Sequence, residues 1–166
     1  MSQINWSHPD YEEHVGAKNG PAEAGGETLI YLNCLNIRNM AVEIIFTYGG
    51  DVDTVLDIVE ADDVLGTNVQ PITKLFPTWH NVDTDLSHAW GDTVLANSVT
   101  IDTTEGKNQK VYMQIDPMKL TSTLADGTIT TKKALALRIG ASDALNIISV
   151  VYHCLTRNQG AVDLRL

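Results

Sequence analysis

Positive charge is scarce in this sequence. Eleven Lys and Arg stand against 21 Asp and Glu, a formal charge of -10. Such a surface repels a phosphate backbone, so no nucleic-acid partner is expected. Cysteine is scarce as well: Cys34 and Cys154 lie far apart and fit neither a zinc-site spacing nor a disulfide framework, which points to a reducing cytosol as the place of folding. Long apolar runs are missing. None approaches the roughly 18 residues a membrane helix needs, and the first 30 residues lack a basic start followed by an apolar stretch, so neither a membrane span nor an export signal is expected. Gly-rich phosphate loops after a strand, a G-x-S-x-G elbow and an obvious carboxylate pair are absent too, and with them the usual signatures of catalysis. The sequence is therefore read as a non-enzyme with no cofactor and no metal.

What is present suits one core. With 166 residues and 43% apolar content, the chain can bury a single sizeable interior with an extension. The extension is the polar leader 1–26, where Pro9, Pro21 and four glycines argue against regular structure. It reads as an extended N-terminal arm, with Trp6, Tyr11 and Val15 as the side chains that anchor it to a partner. Residues 27–166 form the second unit.

In that unit, short apolar runs alternate with turn residues, which predicts an all-β, antiparallel β-sandwich or jelly-roll-like domain of eight or more strands. The spacing predicts one hairpin from 28–37 and 41–48, turning at Arg38, Asn39 and Met40, and a second from 98–104 and 109–116. Residues 123–130 carry Asp126-Gly127, a dipeptide suited to the positive φ of a tight turn. For 51–63 two readings stay open. Val52, Val55, Leu56 and Val59 fit the spacing of a helix face, whereas the β-branched content fits a strand. The region 62–97 reads as one long connection holding Trp79 and Trp90, and 161–166 as a possible last strand.

Several groups invite a chemical reading. His153 beside Cys154 resembles a nucleophile with its base, but in an extended 146–156 the two side chains point to opposite faces. Cys154 then joins Ile148, Val150 and Tyr152 on a core face, Cys34 is likewise a buried thiol, and His153 is a hydrogen-bonded histidine on a partly covered face. His80, Asp83, Asp85 and His88 lie within nine residues but follow no recognised metal pattern. The acidic group Asp51, Asp53, Asp57, Glu60, Asp62 and Asp63 lacks the alternation of a calcium loop and reads as solvated surface. His8 and His14 in the leader read the same way, and "YGGD" at 48–51 reads as a turn.

The leader Met1 to Gly26, followed by the strand series from Thr28 to Asn158, resembles small structural proteins of tailed-phage virions, above all head decoration or cement proteins. In these a β-sandwich sits on the capsid while an N-terminal arm reaches across neighbours. The resemblance implies a virion protein that folds in the host cytoplasm, binds the major capsid protein or other virion subunits, and assembles as a homotrimer. A different reading takes Trp79 and Trp90 as an aromatic platform for carbohydrate, or as a receptor contact, at the tip of the sandwich.

Overall fold

The computed structural model describes residues 12–81, 90–103, 106–117, 121–123, 129–131 and 133–156. Among these the chain is all-β, an antiparallel sandwich of two sheets. In chain order the strands are β1 (Glu12–Pro21), β2 (Glu27–Thr28), β3 (Leu32–Asn33), β4 (Ile37–Thr47), β5 (Thr54–Ala61), β6 (Gln70–Pro71) and β7 (Phe76–His80). They continue with β8 (Val94–Ala96), β9 (Ser98–Ile101), β10 (Gln109–Ile115), β11 (Thr121–Thr123), β12 (Ile129–Thr131), β13 (Ala134–Ile139) and β14 (Ile147–Thr156). One sheet runs β1-β14-β4-β10-β7-β8. The other runs β2-β13-β5-β6, with β3 also on β13 and β9 also on β5, and β11 pairs with β12 as a separate ribbon.

Period-two alternation builds the core. Ile148, Val150, Tyr152 and Cys154 of β14 are buried, as are Met40, Val42, Ile44 and Phe46 of β4 and Val111, Met113 and Ile115 of β10. Leu56 and Ile58 of β5, Leu135, Leu137 and Ile139 of β13, and Val99 and Ile101 of β9 belong to the same cluster from the opposite sheet. Burial of a Leu, Ile or Phe side chain is worth about 1.5–3 kcal/mol, so these facing rows are the main source of stability.

The leader departs from expectation. Residues 12–21 do not extend away from the domain but pair with β14 from Glu12↔Leu155 to Pro21↔Ile147. Gly16 and Pro21 are compatible with this because β1 is an edge strand. A register shift between Gly16 and Lys18 absorbs one extra residue, and Pro21 ends the strand, where a missing N–H costs little. Val15 is buried in the chain's own core, so its side chain is not offered to a partner. Lys18 then ties β1 to β2 through a 2.7 Å ion pair with Glu27. Trp6 and Tyr11 lie outside the described residues.

Neither predicted long hairpin forms. Arg38, Asn39 and Met40 lie within β4, which pairs with β14 from Ile37 to Thr47 with a register shift at Arg38. The chain instead turns at a short 3-10 segment, Cys34–Asn36, capped by the Asn33 side chain accepting from the Leu35 N–H, as it passes from one sheet to the other. Strands β9 and β10 also belong to different sheets, one on β5 and the other between β4 and β7. Their alternation marked correct faces but said nothing about partners. The 51–63 ambiguity resolves to strand: Ile58, which would lie off the apolar face of a helix, is buried, and β13, β6 and β9 pair along β5. The long connection 62–97 contains β6, β7 and β8. The Asp126-Gly127 turn and the 161–166 strand lie outside the described residues, although Thr123 and Ile129 on either side of that turn are paired.

Candidate interaction surface

The outward face of the six-stranded sheet gathers most of the chemistry-bearing side chains. Cross-strand register sets them in rows. Glu43 of β4, Tyr112 of β10 and Trp79 of β7 are consecutive partners, with Val151 of β14 beside Glu43. The neighbouring rows place His14 opposite His153, and Lys110 opposite Ile45. Trp90 joins through a bridge between Asn81 and Trp90.

These residues form a connected series across the sheet. The Nδ1 atoms of His14 and His153 lie 2.9 Å apart, and His153 Nε2 lies 3.0 Å from Glu43 Oε2. The other Glu43 oxygen receives Lys110 Nζ at 2.7 Å, and that ammonium sits 5.6 Å from the centroid of the Trp90 ring. Trp90 and Trp79 flank Tyr112 at centroid distances of 6.3 and 5.9 Å, tilted by 60° and 52°. Part-exposed ion pairs contribute about 0–1 kcal/mol each, and exposed cation–π contacts about 0.5–1 kcal/mol. The series therefore adds little to folding relative to the core, and its consequence is a fixed arrangement of charge and aromatic surface.

Burial pushes the Glu43 carboxyl up, but hydrogen bonds from Lys110 and His153 outweigh it and hold the group below the usual glutamate range. A carboxyl depressed in the folded state stabilises above its unfolded pKa, and that stabilisation is lost as pH falls through the lower folded value. The melting temperature should consequently fall between about pH 5 and pH 3, and Glu43→Gln should flatten that part of the profile. An unchanged profile in the variant would show that other carboxylates govern acid unfolding.

The remaining sequence candidates divide. Trp79 and Trp90 are both brought against Tyr112, on the sheet face rather than at a tip, each ring tilted relative to that of the tyrosine. The His153-Cys154 pair does not act as a dyad, since Cys154 is fully buried and His153 turns outward to Glu43 and His14. Cys34 and Cys154 are both buried and not joined in a disulfide, and burial raises the Cys34 pKa far above the ordinary range. Burial also holds His80 below the usual histidine range, while Asp83, Asp85 and His88 lie outside the described residues.

The acidic group is dispersed. Asp53 accepts from the Thr103 N–H and hydroxyl, Asp57 pairs with Arg138 at 3.0 Å, Asp62 accepts from Asn68, and Asp63 accepts from Leu65 and Thr67. Glu60 is buried, contrary to the solvated reading. Among the described residues no group of three or more His, Cys, Asp or Glu could hold a metal, and no helix is long and apolar enough to cross a membrane.

Sequence reasoning missed Tyr112, Lys110 and Glu43. Each reads as an ordinary outward residue of a strand, and only the β4-β10-β7 register reveals their meeting. The edge strand β8 adds exposed apolar surface, Val94 at 54% and Leu95 at 61%. Leu95 lies opposite Pro77, two residues before Trp79 on the same side of β7.

No protein-family model matches the chain, and comparison with curated proteins gives no match. Among solved structures, the crystal structure of the SPBc2 prophage-derived protein YomS is similar at 10% identity and a TM-score of 0.51, covering 88% of this chain and 94% of that one. Structures of infectious bursal disease virus, strains Gx and Gt, align at 13% and 12% identity, but with TM-scores of 0.23 and 0.20 and only 39% and 42% of those chains. That overlap is too small to support an argument. The similarity to YomS is one of fold: this chain has the two-sheet architecture of a protein derived from a prophage.

Proposed function

We propose that the protein is a non-enzymatic structural component of a virion, of the head decoration or cement type, which grips its partner through the outward face of the six-stranded sheet. The observation that carries this reading is the half-exposed Trp79, Trp90 and Tyr112 cluster. It is bordered by the Lys110-Glu43-His153 series and continues to the apolar edge at Leu95. Aromatic side chains inside a polar rim are the usual composition of an interface centre. An edge strand with exposed Val and Leu is an added invitation to a neighbour. The fold shared with a prophage-derived protein is compatible with this role. Repetition of identical subunits on a lattice, with the homotrimer as the proposed unit, would convert a modest contact into stable attachment.

The leader contributes differently from a free arm. Because Glu12–Pro21 pair with β14, removal of 1–20 strips an edge strand and uncovers β14. Trp6 and Tyr11 remain proposed anchors to a partner. The test is reconstitution on purified particles that lack the protein, with bound copies counted by quantitative electrophoresis. Trp90→Ala and Trp79→Ala should each reduce binding about 10-fold or more, as expected for a contact worth at least about 1.4 kcal/mol. Undiminished binding by both variants would remove this face from the interface.

Carbohydrate binding is the second reading, favoured by the placement of both tryptophans against Tyr112. Glycan-array binding by the wild type that vanished in Trp79→Ala would support it, and a blank array would count against it.

A further inference from the structure

Away from the aromatic cluster, the same face carries two opposed imidazoles. His14 of β1 and His153 of β14 are direct register partners. Their rings meet edge to face with centroids 4.6 Å apart, and their Nδ1 atoms are separated by 2.9 Å. His153 is oriented from behind. An ionised carboxylate only accepts hydrogen bonds, so Glu43 at 3.0 Å fixes the proton of a neutral His153 on Nε2 and turns the Nδ1 lone pair toward His14. Glu43 is itself held by Lys110. A ligating histidine whose other ring N–H donates to a carboxylate is the usual support of an imidazole metal ligand.

We propose that His14 and His153 form a two-imidazole site for a late first-row divalent cation, Ni²⁺ or Cu²⁺, with the remaining positions filled by water. The spacing is compatible with two cis ligands of one ion. At a metal–nitrogen distance of about 2.0–2.1 Å, nitrogens 2.9 Å apart subtend roughly 90° at the metal. That is the cis angle of octahedral or tetragonal coordination, whereas a tetrahedral ion would want the nitrogens about 3.3 Å apart. The Irving–Williams order ranks Cu²⁺ above zinc, and imidazole is a suitable ligand for both Ni²⁺ and Cu²⁺. Binding requires both rings neutral with Nδ1 unprotonated, so the proton on the donating Nδ1 of His14 moves to its Nε2 through solvent, and uptake competes with protons at lower pH. The bound ion would cross-link the edge strand β1 to β14, independently of whether the aromatic face binds a virion partner.

Isothermal titration calorimetry of the full chain with NiCl₂ and CuCl₂ tests this. One equivalent should bind, weaker by at least about 10-fold in His14→Ala and in His153→Ala and about 10-fold weaker in Glu43→Ala, in line with loss of a ligand or of its supporting carboxylate. Calcium and magnesium should give no heat. His14 is exposed, so its substitution leaves the core untouched, and circular dichroism verifies the fold of the other two. With Cu²⁺, electron paramagnetic resonance should show two equatorial nitrogens in the wild type and fewer in either histidine variant. Absence of binding by the wild type, or binding and a nitrogen count in His14→Ala and His153→Ala that both equal those of the wild type, would overturn the proposal.

Discussion

Replacing Tyr152 with phenylalanine should destabilise the protein by about 1–3 kcal/mol, although the ring itself is unchanged. The Leu137 backbone N–H donates to the Tyr152 hydroxyl at 3.0 Å, and Tyr152 is fully buried. The reason lies in the sheet. On one side of β13, the partners β2 and β3 are interrupted strands: Arg138 pairs with Thr28 and Leu135 with Leu32, so Leu137 faces the gap between them. Leu29 supplies its N–H to the Leu137 carbonyl, which leaves the Leu137 N–H to be met from the other sheet. Phenylalanine would leave that donor buried without an acceptor. Tyr152→Ala should cost more, about 3–5 kcal/mol from the cavity in addition to the lost bond. Urea unfolding with an unchanged m-value reads both effects. A Tyr152→Phe midpoint equal to that of the wild type would mean that the Leu137 N–H finds another acceptor.

Asn146→Ala should cost about 2–4 kcal/mol, because one buried amide holds two loops together. Its Oδ1 accepts from the N–H groups of Gly49 and Gly50 at 2.9 Å each, and its Nδ2 donates to the Val52 carbonyl and to the Ser142 hydroxyl. Its backbone carbonyl also takes the Ala22 N–H, drawing the end of β1 into the same corner. Gly49 fits this corner because a Cβ there would run into the Leu145 carbonyl. Asn146→Asp should be intermediate, since a carboxylate keeps the two acceptor contacts but loses both donations and buries a charge. An alanine variant within 0.5 kcal/mol of the wild type would show that water replaces the amide.

Local alternation was the readable part of this chain. The faces of β14, β9 and β10 follow from single residues such as Cys154, Ile101 and Met113, because period two is a property of the strand alone. Partnership was not readable. Arg38 to Met40 looked like a turn between two apolar runs, yet β4 continues through them, because β14 pairs with it on both sides of a register shift at Arg38. In the leader, Gly16, Gly20 and Pro21 signalled irregular chain, and an edge strand with a bulge accommodates them. For β5, Val52, Val55, Leu56 and Val59 follow a helix period while the β-branched content favours a strand, so only tertiary pairing decides. The surface was hidden for the same reason: Glu43, Lys110 and His153 are far apart in sequence and meet only once β14, β4 and β10 take their register.

The proposed role as a virion component rests on attachment to particles. Quantitative mass spectrometry of density-purified particles from cells carrying the encoding gene addresses it most directly. The account predicts that the chain co-purifies in a fixed, multi-copy ratio to the major capsid protein. Its absence from intact particles, with the protein recovered only in the soluble fraction of the same lysate, would contradict it.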